Sequence, residues 1–185
     1  GATGLRSCSA GSRIGGVWQP DTIGARRSSS QPSPSRPPLS TKGDLFSSER
    51  MDKKTILYFY PKDGTSTCTI EARGFSSVYQ DLEDMGLQII GISPDSIESH
   101  LKFRESEEIP FHLLSDNTSE ICSLFGLLQR PSPLELYPIR TTFLVDTNKK
   151  ILAIWPDLGD VDEDVSTHSD DIVSFIMDVF DKADL

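Results

Sequence analysis

The spacing of apolar residues changes several times along the chain, as expected where strands alternate with helices. Residues 55–60 form a β-branched and aromatic run that stops at Pro61, which predicts a buried strand. Over residues 68–85 the apolar side chains recur at helical spacing, and this pattern stops at Gly86. The first patterned region is therefore predicted to be a strand followed by a helix.

Two further strands are predicted over residues 87–93 and 111–114, with a short helix from about Ser96 between them. Asn117 and Glu120 then have the spacing of a capping box, in which two side chains satisfy free amides at the start of a helix. The apolar positions of the helix predicted there are Ile121, Leu124 and Phe125.

Near the C-terminus the pattern predicts a hairpin and then a helix. Strands over residues 141–146 and 150–155 are separated by a short turn sequence. Apolar residues recur at helical spacing over residues 169–183. The acidic stretch 157–171 is predicted to be a solvated connector, with a docking site for a basic partner as the alternative.

The predicted order of elements is β-α-β-α-β-α-β-β-α. Early alternation favours parallel strands, and a late hairpin adds antiparallel ones. We therefore predict an α/β protein with a thioredoxin-like fold, in which a central mixed sheet is flanked by helices.

Residues 1–43 differ in composition from the rest of the chain. They contain nine Ser, seven Gly and five of the twelve Pro, with six basic residues and one acidic residue. The remaining residues hold 12 basic and 27 acidic side chains. A stretch with so few apolar residues buries too little surface to offset the entropy of ordering it. We predict a disordered segment over residues 1–43 and one folded domain over residues 44–185.

The Ser-rich, Arg-containing and acid-poor composition of residues 1–43 is also typical of an organellar transit peptide. No amphipathic helix is visible in this segment, which favours a plastid over a mitochondrion. A flexible linker and a mistranslated upstream region are the alternatives. The predicted location is an intracellular reducing compartment, either a plastid or the cytoplasm.

Composition and charge argue against several classes of function. The net charge of −10 argues against nucleic-acid binding, because phosphates call for a basic surface. The apolar runs are far shorter than the ~20 residues that cross a membrane. Cys8, Cys68 and Cys122 are too few and too scattered for a disulfide-stapled scaffold. The three histidines show no metal-ligand spacing with any cysteine, so no metal site is predicted.

Cys68 has the sequence context of a reactive cysteine. It follows the strand end at Pro61 and a short turn, so it is predicted in the first turn of a helix. Free backbone amides and the positive end of the helix dipole favour the thiolate there, and the thiolate is the nucleophile. Thr65 brings a hydroxyl that can hydrogen-bond to a substrate and to the sulfur. The spacing alone equally allows a buried structural cysteine beside a helix-capping threonine.

Residues 58–69 read Tyr-Phe-Tyr-Pro-Lys-Asp-Gly-Thr-Ser-Thr-Cys-Thr. This segment resembles the active-site segment of peroxiredoxins of the Q type, also called bacterioferritin comigratory proteins. The resemblance continues through residues 91–103 and 110–116 and through the strand that begins with Arg140. His168, predicted to precede the last helix, also fits the family pattern.

The resemblance implies a thiol peroxidase that reduces hydrogen peroxide and organic hydroperoxides through a cysteine sulfenic acid, in antioxidant defence and cell redox homeostasis. It makes Cys68 the peroxidatic cysteine. It implies that Thr65 holds the peroxide, that Pro61 keeps water from the pocket, and that Arg140 stabilises the thiolate and the departing oxygen. This chemistry needs no cofactor. Without the resemblance, Arg140 is better interpreted as part of a surface salt bridge.

Two features near Cys68 depart from the family pattern. Ser66 and Thr67 replace the usual Pro-Gly, and the loss of glycine is expected to alter the turn and to reduce activity. Arg73 occupies the position of the common resolving cysteine.

The two other cysteines are poor candidates for a resolving role. Cys122 lies on a later predicted helix, where it is better interpreted as a core residue, and Cys8 lies in the segment predicted to be disordered. We therefore predict a one-cysteine mechanism in which thioredoxin, glutaredoxin or glutathione supplies the reducing thiol. The protein is predicted to be a monomer or a weak dimer.

The hairpin that the family usually has before the Tyr-Phe-Tyr strand is not recognisable in this sequence. Its loss is expected to expose a sheet edge and part of the core. The changes at Ser66 and Thr67 and the missing resolving cysteine favour an alternative function, a non-catalytic thioredoxin-fold module for redox sensing or interaction. The intact residues that favour the enzyme are Pro61, Thr65, Cys68 and Arg140.

Overall fold

Seven strands and five helices make up the described part of the chain, which covers residues 51–132, 135–156 and 162–180 of a computed structural model. In chain order they are β1 (Lys54–Phe59), α1 (Ser66–Ser77), α2 (Tyr79–Asp84), β2 (Leu87–Ser93), α3 (Ile97–Ser106), β3 (His112–Ser115), α4 (Glu120–Leu124), β4 (Leu128–Ser132), β5 (Glu135–Pro138), β6 (Thr141–Val145), β7 (Ile151–Trp155) and α5 (Asp162–Phe180).

Five of the strands form one mixed sheet in the order β3-β2-β1-β6-β7. β1 pairs in parallel with β2, and β2 with β3, whereas β6 is antiparallel to β1 and β7 antiparallel to β6. The early strands need helical crossovers because they are parallel, and the last two need only a turn. The predicted thioredoxin-like fold with a central mixed sheet is confirmed.

The central strand β1 divides the core into two clusters. Successive side chains of a strand point to opposite faces of the sheet. Ile56 and Tyr58 accordingly pack in one cluster, together with α1 and α5, whereas Leu57 and Phe59 pack in the other, together with α4. The sheet therefore lies between two separate apolar layers.

The last helix begins earlier than the sequence pattern indicates. α5 starts at Asp162, so the prediction of a solvated connector is wrong from this residue onward, and residues 157–161 lie outside the described part. The acidic side chains hide a helical stripe of buried residues, which are Val165, His168, Ile172 and Ile176. His168 consequently lies inside the helix and does not precede it.

The start of α4 is stabilised by Asp116 and not by the predicted capping box. The Asp116 carboxylate accepts hydrogen bonds from the amides of Ile121 at 3.1 Å and Cys122 at 2.8 Å. The residue before the helix is Ser119, in the left-handed conformation. Leu124, one of the apolar positions of the predicted helix, is 83% exposed and lines an open groove.

Two further details were not predicted from the sequence. The single helix predicted over residues 68–85 is broken at Val78 into α1 and α2. The two-stranded ribbon β4–β5 was missed because Pro131 and Pro138 argue against a strand, yet proline is tolerated in a ribbon with free edges.

An open apolar groove of about 400 Å³ lies on the second face of the sheet. Its lining includes Met51, Leu114, Phe125 and Ile151. Met51 is also the first described residue. The predicted disorder of residues 1–43 and the missing hairpin lie outside the described residues.

We propose that residues 44–185 form the folding unit. Removing residues 1–43 is then expected to shift the midpoint of thermal unfolding by no more than about 2 °C, because a polar segment with few apolar residues contributes few buried contacts. Calorimetry of the two proteins checks this. A clearly lower midpoint for the truncated chain would mean that residues 1–43 pack against the domain.

Candidate active site

Cys68 lies in the first turn of α1, as the sequence predicts. The helix begins at Ser66, and Thr65 precedes it with an extended backbone. The Thr65 carbonyl accepts a hydrogen bond from the Thr69 amide at 2.9 Å. Cys68 is buried, so its sulfur lies in a water-poor setting at the end of the helix where the amides lack helical partners. This end of the helix dipole favours a negative charge.

The Arg140 guanidinium contacts the Cys68 sulfur. Arg140 directly precedes β6, and the pairing of β6 with β1 brings it to the sheet end from which the chain runs to α1. Its Nη2 donates to Cys68 Sγ at 3.4 Å. Arg140 is only 3% exposed. The interpretation of Arg140 as part of a surface salt bridge is therefore wrong.

Glu71 is a buried member of this site that the sequence interpretation missed. Its Oε2 accepts a hydrogen bond from Arg140 Nη1, while Nη2 of the same guanidinium reaches Cys68. A buried guanidinium needs a compensating charge, and the carboxylate supplies it while fixing the orientation of the planar group. The three-residue separation of Cys68 and Glu71, which places both on one helix face, is the sequence signal for this arrangement.

Pro61 and Thr65 lie in the loop that connects β1 to α1. Both residues are half-buried. Between them, Gly64 adopts a φ of +69°, a conformation that glycine adopts without strain. The Thr65 hydroxyl donates to the Lys62 carbonyl at 3.3 Å. Both predicted residues thus belong to the loop that leads to the cysteine.

The Ser66 and Thr67 departure is accommodated by a regular helix. Both residues lie in the first turn of α1. Among the described non-glycine residues, positive φ angles occur at Glu108, Ser119 and Lys149. Neither position near the cysteine therefore requires the left-handed backbone that favours glycine, and the reason for expecting an altered turn does not apply.

His168 is buried on α5, near enough to Arg140 for the two to interact electrostatically. Its Nε2 lies 2.8 Å from Thr142 Oγ1, and its ring makes edge contacts with Phe75 and Trp155. Burial, together with the positive charge of Arg140, lowers the pKa of His168 to about 4. The imidazole is therefore neutral near pH 7 and adds no charge to the site.

Cys122 lies on the opposite side of the sheet from Cys68. It belongs to the second core cluster, whereas Cys68 belongs to the first. Burial raises the pKa of the Cys122 thiol far above its usual value, and the Asp116 carboxylate raises it further. Two cysteines form a disulfide only when their Cα atoms lie within roughly 7 Å. The prediction that Cys122 is a core residue is confirmed.

The position of the common resolving cysteine lies on the surface. Arg73 there has a side chain that is 68% exposed, and its Nη2 lies 2.8 Å from Glu107 Oε2. An exposed ion pair of this kind contributes little to stability.

Among the described residues, no group of three or more His, Cys, Asp or Glu side chains is arranged to hold a metal ion. None of the described helices has the length and apolar character that crossing a membrane requires.

Comparison with known proteins identifies the family. Residues 38–154 match the AhpC/TSA family, which is well over half of the chain. The chain belongs to the AhpC/TSA family. The match includes β1, the loop between β1 and α1, α1 and β6. The elements that carry Pro61, Thr65, Cys68, Glu71 and Arg140 therefore lie within it.

Within the AhpC/TSA family the chain is similar to proteins of the Bcp and peroxiredoxin Q type. Peroxiredoxin Bcp of Bacillus subtilis (strain 168) is 37% identical over 126 residues, which are 64% of this chain and 80% of that protein. A solved structure of Xanthomonas campestris bacterioferritin comigratory protein, studied for its alkyl peroxide reduction activity, has a TM-score of 0.68 and 25% identity, over 75% of this chain and 87% of that one. The resemblance stated above is confirmed.

A third relative is the chloroplastic peroxiredoxin Q of Sedum lineare, which is 34% identical over 106 residues, 56% of this chain and 54% of that protein. Since bacterial and chloroplastic proteins are both among the relatives, similarity to this family does not support a plastid location for this chain.

The neutral state of His168 makes stability depend on pH. In the unfolded chain a histidine titrates near 6.5, whereas in the folded protein the pKa of His168 is about 4. Between these values the unfolded chain binds more protons, so this stability is fully present above about pH 6.5 and is lost as the pH falls toward 4. At about 1.4 kcal/mol per pKa unit, the loss is roughly 3 kcal/mol.

We therefore predict that the free energy of unfolding, measured in urea, falls more steeply between pH 6.5 and 4 in the wild type than in His168→Gln. The amide does not titrate, and the carboxylates titrate in both proteins, so the difference between the two slopes isolates the histidine. Equal slopes would show that His168 takes up its proton equally in the folded and unfolded states.

Proposed function

We propose that the chain is a thiol peroxidase in which Cys68 reduces hydrogen peroxide and organic hydroperoxides and an external thiol restores the cysteine. The observation that carries this proposal is the buried hydrogen bond from Arg140 Nη2 to Cys68 Sγ, at the first turn of α1. A guanidinium keeps its proton at all physiological pH values, so it is a permanent cationic partner for the sulfur. Membership of the AhpC/TSA family supports the reaction class.

In the first step, the Cys68 thiolate attacks one oxygen of the hydroperoxide. A sulfur–oxygen bond forms as the oxygen–oxygen bond breaks, so the cysteine is oxidised to sulfenic acid and the peroxide is reduced to an alcohol or water. The departing oxygen leaves with the negative charge and then takes up a proton from the solvent, which gives the alcohol or water. Arg140 stabilises the thiolate before the attack and the departing oxygen during it.

The loop after β1 supplies the other two assigned residues. Thr65 holds the peroxide through its hydroxyl, whose 3.3 Å hydrogen bond to Lys62 is long and weak enough to be exchanged for one to a substrate. Pro61 packs at the other end of the loop, half-buried, and limits the access of water to the sulfenic acid. Both roles follow from the family resemblance and from the position of the loop.

In the second step, an external thiol attacks the sulfenic sulfur and water leaves, which produces a mixed disulfide. A second thiol then breaks this disulfide and regenerates Cys68. The one-cysteine form of the cycle is supported by the exposed Arg73 at the usual resolving position and by the sheet that lies between Cys68 and Cys122. Thioredoxin, glutaredoxin and glutathione are the donor candidates, and replacing dithiothreitol by each in turn identifies the donor.

Cys68→Ser is expected to lower peroxide consumption to the rate of dithiothreitol alone, because a serine hydroxyl offers almost no anion near neutral pH. A peroxide assay on wild type and variant checks this, and substantial activity in the variant would show that Cys68 is not the nucleophile. A wild type that is oxidised once but does not turn over would instead support the redox-sensing module.

The one-cysteine mechanism gives a second prediction. Cys122→Ala is expected to leave dithiothreitol-supported turnover unchanged, and peroxide without a reductant is expected to convert Cys68 to the sulfinic acid. Alanine is the matched replacement because Cys122 is fully buried among apolar side chains. Peptide mass mapping after peroxide treatment checks the second point, and an abundant Cys68–Cys122 disulfide would overturn the mechanism.

A further inference from the structure

A buried polar cluster lies beside the loop that joins β1 to α1. Its centre is formed by Asp63 in that loop and His100 on α3, whose side chains are 6% and 0% exposed. The chemistry proposed above uses neither residue. Buried polar groups are retained only where they are satisfied, so the partners of this pair show what it holds together.

The Asp63 carboxylate is surrounded by donors. The Tyr60 hydroxyl donates to Oδ1 at 2.8 Å, the Ser99 hydroxyl donates to Oδ2 at 2.7 Å, and His100 Nδ1 lies 2.8 Å from Oδ2. Burial raises the pKa of Tyr60, and the neighbouring Tyr58 and Asp63 raise it further, so the phenol keeps its proton and acts as a donor.

His100 connects the loop to the sheet. Its Nδ1 faces the Asp63 carboxylate, and its Nε2 lies 3.2 Å from the Leu114 carbonyl on β3. Both partners are acceptors. A ring that is protonated on both nitrogens donates to both, whereas a neutral ring can donate to only one of them.

The backbone of Asp63 is fixed as well as its side chain. Its amide donates to Asp95 Oδ2 at 2.8 Å, and the Ser93 hydroxyl donates to the same oxygen at 2.8 Å. The Ser115 hydroxyl then donates to the Asp95 backbone carbonyl at 2.6 Å. One loop residue is therefore attached to the β2–α3 turn, to α3 and, through these, to β3.

We propose that His100 and Asp63 form a clamp that positions Thr65 to hold the peroxide. Thr65 follows Asp63 by two residues, and the residue between them is Gly64, whose conformational freedom cannot direct the chain by itself. The Thr65 hydroxyl donates to the Lys62 carbonyl, which belongs to the same peptide unit as the Asp63 amide, so the direction of the hydroxyl depends on Asp63 being fixed. His100 is a positioning residue, and this inference rests on the proposed peroxidase function.

The contact between Cys68 and Arg140 does not depend on the clamp. Arg140 is held by the pairing of β6 with β1 and by Glu71, and Cys68 is held by α1. Loss of the clamp should therefore affect the binding and orientation of peroxide and leave the sulfur reactive. This difference separates a positioning role from general support of the fold.

Two amide substitutions of His100 give a matched test. In His100→Asn the amide nitrogen takes about the place of Nδ1 and can still donate to Asp63. In His100→Gln the amide nitrogen lies one atom further from the backbone, near the place of Nε2. There it faces the Leu114 carbonyl and can no longer donate to Asp63. The control is His112→Gln, at a half-buried histidine that begins β3.

Two rates are measured for each protein, with Cys8→Ser and Cys122→Ala present throughout. The first is kcat/KM for hydrogen peroxide with dithiothreitol, and the second is the alkylation of Cys68 by iodoacetamide, which needs the thiolate but no bound peroxide. In His100→Gln, kcat/KM is expected to fall between about ten- and a hundredfold, the effect of a small misplacement of the Thr65 hydroxyl. The rate of Cys68 alkylation is expected to equal or exceed that of the wild type.

His100→Asn should retain most of the wild-type kcat/KM, and the control should change neither rate. Equal losses in the Asn and Gln variants, or parallel losses of both rates, would overturn the clamp in favour of general support of the fold. Unchanged peroxide kinetics in His100→Gln would overturn the clamp alone. A wild type that consumes no peroxide would overturn the proposed function and the clamp with it.

Thermal unfolding of each variant establishes that it is folded. If His100→Gln does not fold, Ser99→Ala is used in its place, because it removes one donor from Asp63 at a half-buried position. It is expected to show a smaller loss of the same kind, again with alkylation retained. An unchanged kcat/KM in Ser99→Ala, in that case, would overturn the clamp.

Discussion

The hydrogen bond from the Arg140 guanidinium to the Cys68 sulfur is the interaction on which the proposed chemistry depends. It requires a fully charged side chain to be buried beside a thiol, which is unfavourable unless the charge is compensated. Glu71 supplies the compensation from the next turn of the same helix. The guanidinium thus bridges the sulfur and the carboxylate, and the loss of Glu71 would remove this compensating charge.

The surroundings of these three groups are kept neutral. Burial lowers the pKa of His168, and the positive charge of Arg140 lowers it further. Burial raises the pKa of Tyr58, and the negative charges of Glu71 and Cys68 raise it further. Tyr58 lies against Gly91, where any Cβ would meet its ring carbon at 2.7 Å. The glycine thus makes room for the aromatic ring beneath the site, and the ring contributes no charge.

Features that depend on residues close together in the chain could be predicted from the sequence. The first turn at Cys68, the β6–β7 hairpin and the helix stop at Gly86 all follow from residues close together in the chain. The Arg140–Glu71 ion pair joins positions 69 residues apart, so only the pairing of β6 with β1 reveals it. Charged residues likewise concealed the buried stripe at the start of α5. The role of Arg140 was accessible only through the family resemblance, because an arginine in an acidic chain is ordinarily on the surface.

The most direct measurement of the Arg140 effect is the ultraviolet absorbance of the Cys68 thiolate at neutral pH, with Cys8→Ser and Cys122→Ala present so that one cysteine contributes. Arg140→Ala is expected to contain less thiolate than the parent protein, because the variant lacks the cation that stabilises the negative charge on the sulfur. Arg140→Lys, which keeps the charge without the planar group, should lie between them. Equal absorbance in the parent and Arg140→Ala would contradict the stabilisation of the thiolate by Arg140.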